Sequence, residues 1–150
     1  MKNKEKLFGG TYCFGGTETH NLVSPVFEKE ILKAMFQDNR EITQVTVKLG
    51  QIGGAFDRAT ELSDITESSN YTPVVLSLPS ASDWEVINDE SLAFSVKTRQ
   101  LTFNVSGGDC SYNCYYIVDQ TGRLLSVSAK LASVVTKTSA FTGYYKFYCL

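Results

Sequence analysis

Apolar residues recur along this chain with two periods. Phe27, Ile31 and Met35 repeat every four residues, and Leu32 and Phe36 widen the same face. Ser24 is a suitable N-cap, Pro25 suits a first helical turn, and Glu28 and Glu30 lie where the helix dipole favours negative charge. Asp38-Asn39 ends the pattern. It predicts one amphipathic helix of about three turns whose apolar face covers a sheet. The aromatic and methionine stripe then reads as core rather than as a cofactor site.

From residue 42 onward the period changes to two. Val45, Val47 and Leu49 alternate with Gln44, Thr46 and Lys48, the mark of a half-buried strand. Residues 50–70 are polar, contain glycine and lack a period, so they predict a long surface loop. Further strands are predicted at Val74/Leu76/Leu78, Leu92/Phe94/Val96, Leu101/Phe103/Val105, Tyr115 to Val118, Leu125/Val127/Ala129/Leu131 and Tyr145/Phe147/Cys149. Gly107-Gly108-Asp109 separates two of them. Asp119-Gln120-Thr121-Gly122 predicts a tight turn between two more, with Gly122 suited to the left-handed position. About seven short strands and one helix predict a mainly β fold, an antiparallel β-sandwich with a short N-terminal amphipathic helix.

Residues 1–23 stand apart from this domain, which spans 24–150. They carry a short duplication, Phe8-Gly9-Gly10-Thr11 and Phe14-Gly15-Gly16-Thr17. Paired glycines permit unusual backbone angles but form no stable element alone. Two readings fit: an extended glycine-rich arm that orders on a neighbour's surface, or a tail or irregular first strand. Under the first, Phe8, Gly9, Gly10, Phe14, Gly15 and Gly16 are partner-contact residues.

Composition narrows the function classes. Hydrophobic residues make up 43% of the 150 and charged ones 20%, which is enough to bury a core without metals or disulfides. Fourteen basic and sixteen acidic side chains leave a net charge of −2, which offers no electrostatic footprint for nucleic acid or an anionic membrane. No apolar run reaches the ~18 residues of a membrane span, and the charged start Met1-Lys2-Asn3-Lys4-Glu5-Lys6 is not followed by the apolar stretch of a secretory signal. The expectation is a chain made and folded in a cytosol.

Candidate chemistry is sparse. Of the four cysteines (Cys13, Cys110, Cys114 and Cys149), the pair Cys110-Ser-Tyr-Asn-Cys114 is one residue wider than the common zinc-knuckle spacing, and the one histidine, His20, is far away in sequence. Free, buried or half-buried thiols are the favoured reading, ahead of a late disulfide and of a zinc site. A catalytic triad would rest on His20 alone. Gly9-Gly10 and Gly53-Gly54 lack the lysine and spacing of a phosphate loop. The carboxylate pairs Asp83/Glu85 and Asp89/Glu90 fall in expected turns, where solvated charge explains them ahead of a calcium site. No catalytic residue, metal or cofactor is expected. The clustered tyrosines are more informative: some of Tyr112, Tyr115, Tyr144 and Tyr148 should point outward and serve as partner contacts, or bind sugars.

Feature order then carries a resemblance. The helix with Phe27-Glu28-Lys29-Glu30-Ile31-Leu32 is followed by the strand Val45-Thr46-Val47-Lys48-Leu49-Gly50. After these come Thr66-Glu67, Tyr71, Trp84, Leu101-Thr102-Phe103 and Asp119-Gln120-Thr121-Gly122-Arg123-Leu124-Leu125. Over residues 26–150 this order resembles a family of small phage virion proteins, the tail fibre or minor structural proteins. The N-terminal glycine segment and the Cys110/Cys114 pair have no counterpart there. The resemblance implies a non-enzymatic structural component of a bacteriophage virion, tail- or fibre-associated or decorating the capsid. Its expected partners are other virion proteins and copies of itself, and its place is the virion, assembled in the host cytoplasm. The alternative is a module of a phage fibre that binds a host surface receptor or glycan.

Overall fold

The computed structural model of the chain describes residues 10–14, 17–54, 60–88, 94–128 and 131–148; of 10–23, 94, 95, 128, 147 and 148 it describes the backbone only. The described elements are β1 Gly10–Phe14, β2 Thr17–Val23, helix α1 Pro25–Gln37, β3 Gln44–Ile52, β4 Ile65–Glu67, β5 Val74–Ser77, β6 Trp84–Asn88 and β7 Phe94–Thr98. They continue with β8 Leu101–Phe103, β9 Cys110–Tyr112, β10 Cys114–Asp119, β11 Leu124–Ser128, β12 Val135–Lys137 and β13 Phe141–Tyr148. One antiparallel sheet runs β4-β3-β10-β11-β2-β1-β13-β7-β6, with β5 added to β3 and β8 to β13; β9 and β12 pair separately. The fold is mainly β, sandwich-like, with one helix.

The alternation in the sequence explains why this sheet has two buried faces. On β10, Tyr115 and Ile117 point into a large core, whereas Cys114, Tyr116 and Val118 point into a smaller one on the other side. In the large core, Val45, Val47 and Leu49 of β3 meet Leu101 and Phe103 of β8 and Tyr145 of β13. These strands belong to opposite ends of the sheet, so the sheet folds back on itself. A bulge helps: Ile117 pairs with Ser126 and Val118 with Leu124, so Leu125 is an extra residue of β11. Leu125 joins the large core, and the neighbouring Ser126 hydroxyl shares a buried 2.8 Å hydrogen bond with the Tyr145 hydroxyl. Flat strands three places apart would lie about 14 Å from each other, so this bond requires the curl.

The tight turn forms as the sequence predicts: Gly122 has φ 86° and donates its N–H to the Asp119 carbonyl at 3.0 Å. Residues 50–70 are less irregular than expected. Strand β3 continues to Ile52, and a 3₁₀ turn at Leu62–Asp64 leads into β4. Part of the cause is Asn113, buried at the start of β10. Its side chain accepts from the Ile52 N–H (2.9 Å) and donates to the Ile52 carbonyl (3.1 Å), acting as an extra strand residue that satisfies the end of β3.

The N-terminal segment also departs from the expected extended arm. Its described part is a hairpin, β1 and β2, lying between β11 and β13, with Gly10 opposite Asn21 and Phe14 opposite Thr17. Of the two readings, the strand fits here, because the hairpin supplies the main-chain hydrogen bonds that β11 and β13 would otherwise lack. Phe8, Gly9, Gly15 and Gly16 lie outside the described residues. So do Asp89, Glu90, Leu92 and Cys149.

The Tyr145–Ser126 bond can be checked by a double-mutant cycle. Tyr145→Phe and Ser126→Ala are each expected to cost about 1–3 kcal/mol in urea unfolding, since each strands a buried hydroxyl or removes its bond. The double variant should lose less than the sum by about 1 kcal/mol. Strict additivity would mean that the bond does not couple the two ends of the sheet.

Candidate interaction surface

Helix α1 begins as its sequence dictates. The Ser24 hydroxyl accepts from the Phe27 N–H at 3.2 Å, and Pro25 opens the first turn. Ser24 also ties the helix to the sheet, its N–H donating to the Leu125 carbonyl and its hydroxyl to the Leu124 carbonyl, both at 2.8 Å. Asp38, at φ 49°, ends the helix in the left-handed conformation.

The helix presses only part of the expected stripe against the sheet: Phe27 packs on the large core and Ile31 is half-buried, while Leu32, Met35 and Phe36 are exposed. The buried helical residue is Glu30, with Phe27, Ile31 and Ala34 half-buried beside it. One Glu30 carboxylate oxygen lies 3.6 Å from Lys33 Nζ and 3.8 Å from Arg123 Nη1, and its other oxygen has no hydrogen-bond partner. Arg123 is held in turn by Asp119, its Nε donating to Asp119 Oδ2 at 2.7 Å. Asp119 Oδ1 accepts from the Thr121 hydroxyl (2.7 Å) and from the N–H groups of Thr121 and Arg123 (both 2.9 Å). Lys33 pairs with Glu41, whose carbonyl accepts from Gln120 Nε2 at 2.6 Å. A chain of charges thus clamps the helix to the β10–β11 turn.

That clamp sets which side of the helix faces out. Met35 is 73% exposed, Phe36 80% and Leu32 47%, although the i, i+4 pattern placed all three on the covered face. The physical reason is that apolar residues surround this helix (Val26, Phe27, Ile31, Leu32, Ala34, Met35, Phe36), so periodicity alone cannot choose the docked side. The docked side is the one that seats Phe27 on the large core and Glu30 beside Lys33 and Arg123. Leu32, Met35 and Phe36 leave an apolar ridge in water on one side of the helix, and exposed apolar patches of this kind mark interaction sites. Sequence reasoning missed this ridge as a surface, though helix apolarity on every side was a visible signal.

Of the four tyrosines expected as contacts, Tyr112 and Tyr115 are core residues. They are 3% and 2% exposed and pack in the core with tilted rings, centroids 5.0 Å apart; Tyr112 stacks on Phe141 at 5.6 Å. Tyr115 lies on β10, covered on both faces, and Tyr112 on the inward face of β9. Tyr144 is half-buried, with Lys97 Nζ 5.4 Å from its ring centre, and Tyr148 ends β13, its side chain outside the description. Trp84 is half-buried against the large core and donates from Nε1 to the Ser77 carbonyl at 2.7 Å.

Reactive groups are dispersed. Cys110 and Cys114 are free thiols buried in different cores, and burial pushes Cys114 up to about 12. Asp83 pairs with Arg99 at 2.9 Å and accepts from the Ser77 N–H, while Glu85 lies on β6, 3.9 Å from Lys97. Among the described residues no three His, Cys, Asp or Glu side chains gather as metal ligands. Comparison with family models, with curated proteins and with solved structures finds no match for this chain.

The clamp makes stability depend on pH. Burial alone would raise the Asp119 carboxyl, but the bonds from Thr121 and Arg123 outweigh it and hold the group below its usual range. A carboxyl lowered on folding adds stability that is complete above the unfolded value near pH 4 and is lost as pH falls through the folded value. Asp119→Asn should therefore unfold more easily at neutral pH by about 2 kcal/mol and show a flatter stability profile between about pH 5 and pH 2. Unchanged slopes in urea titrations across that range would remove Asp119 from the clamp.

Proposed function

We propose that this chain is a structural component of a bacteriophage virion that acts by packing against neighbouring subunits, through the outward ridge of α1 in the first place. The observation that carries the reading is that ridge: a helix locked in place by buried charge leaves Leu32, Met35 and Phe36 in water. A position on the helix so firmly held cannot relieve its own exposure by rotating, so the ridge is suited to cover by another protein. The resemblance in feature order over residues 26–150 supplies the setting, and dispersed reactive groups fit packing better than catalysis. The alternative of a sugar-binding face has less support, since Tyr112 and Tyr115 are core residues.

The test joins Leu32→Glu with Phe36→Glu. Both sites are exposed, so the doubly substituted chain should keep its urea stability within about 0.5 kcal/mol per site. It should be depleted at least tenfold from gradient-purified particles, in which the unsubstituted chain occurs at fixed stoichiometry. Incorporation at the same level, or absence of the unsubstituted chain from particles, would defeat the proposal.

A further inference from the structure

Helix α1 is tied to the sheet by different means along its length. Its first turn is held by neutral groups: the two Ser24 bonds to β11 and Phe27 on the large core. From Glu30 onward the hold is made by charged side chains, beside the half-buried Ile31 and Ala34. Among the described residues, the charged groups that meet here are Lys29, Glu30 and Lys33 of α1, Glu41 of the segment after it, and Asp119 and Arg123 of the β10–β11 turn. One oxygen of Glu30 stands between two of the cations, 3.6 Å from Lys33 Nζ and 3.8 Å from Arg123 Nη1. The two cations are therefore closer to each other than the roughly 8 Å Debye length at physiological salt, and a carboxylate keeps them there.

From this we infer that the clamp is an acid-released latch: in acid the second half of α1 leaves the sheet, swinging about Ser24, while the sheet stays folded. At neutral pH the carboxylates bridge the cations. Once Glu30, Glu41 and Asp119 are protonated, Lys33 and Arg123 stay charged and each has lost its counter-charge. A contact that held the helix then becomes a repulsion between two cations. Protonation also makes the burial of Glu30 cheaper, which favours the docked helix. Against this stand the loss of both ties from α1, Lys33 to Glu41 and Glu30 to Arg123, and the new repulsion. Ile31 and Ala34 are only half-buried, so little apolar area opposes the release. The Lys33 bond holds the Glu41 carboxyl below its usual range, and Asp119 also lies below its own. Carboxyls lowered on folding keep the latch fully closed above the unfolded value near pH 4 and open it as pH falls through the folded values. The two cores are apolar, so the sheet holds where the latch opens. This device is independent of whether the ridge of α1 meets a neighbour.

Hydrogen exchange of the full chain, followed by peptide mass analysis and corrected for the intrinsic effect of pH, separates the helix from the sheet. A helix of 13 residues freed from its sheet is marginal in water, so release shows as lost protection. Between pH 7 and pH 3 the amides of residues 31–37 should lose protection at least tenfold more than those of β3 and β10. Lys33→Met removes one of the two cations that flank Glu30. It should lower helix protection at pH 7 and raise it at pH 3, relative to the unsubstituted chain. Added salt should act on the unsubstituted chain in the same two directions, since it screens the ion pairs at pH 7 and the repulsion at pH 3. Equal loss in helix and sheet would mean that the chain unfolds as a whole, and overturns the inference. Unchanged helix protection at pH 3 also overturns it, as does an effect of Lys33→Met or of salt with the same sign at both pH values.

Discussion

Strand β10 is buried along its whole length and on both faces, and the rest of the molecule is arranged to make that possible. A strand with two apolar faces needs cover from two sides. On one side the sheet supplies it by curling until β8 and β13 face β3 and β10, with the Tyr145–Ser126 bond closing the gap. The hairpin β1–β2 is the span of sheet that makes this curl long enough. At its far end β10 delivers Asp119 into the interior, where three bonds from the following turn replace its lost water.

The same constraint reaches the surface. Asp119 aims Arg123, Arg123 draws in Glu30, and Glu30 fixes the rotation of α1. An ion contact of this kind, between a buried Glu30 and a partly exposed Arg123, adds little stability but helps select one arrangement among several of similar apolar area. Together with Phe27 on the large core and the Ser24 bonds to β11, it sets which apolar residues of α1 are covered. The exposed ridge of Leu32, Met35 and Phe36 is therefore built into the fold, in the way that a polar residue can set the register of a helix pair.

Much of this fold was legible in the sequence. The period-two runs at Val45/Val47/Leu49 and Leu101/Phe103 became strands, Ser24-Pro25 opened the helix, and Asp119 to Gly122 made the turn. Short strands escaped notice for a physical reason: β4, β9 and β12 have three residues each, too few to display a period, and form because a partner strand is already in place. Strand β6 was hidden by its glutamate and asparagine, which suit an edge and resemble a turn. Tyr115 of β10 misled because an alternating pattern cannot show that both faces of a strand are covered, and Tyr112 because it cannot show which face of β9 turns inward. The orientation of α1 was out of reach, since it depends on a contact between residues 93 positions apart, Glu30 and Arg123.

The central claim is that this molecule works through surfaces which assembly covers, and Met35 offers the most direct reading of it. Its thioether is 73% exposed and open to oxidation in the isolated chain. Peroxide footprinting followed by peptide mass analysis would compare Met35 in the purified chain and in intact particles. The account predicts rapid oxidation in the first and at least tenfold protection in the second. Equal oxidation in both would mean that the helix ridge stays in water, and would contradict packing through α1 as the role of this protein.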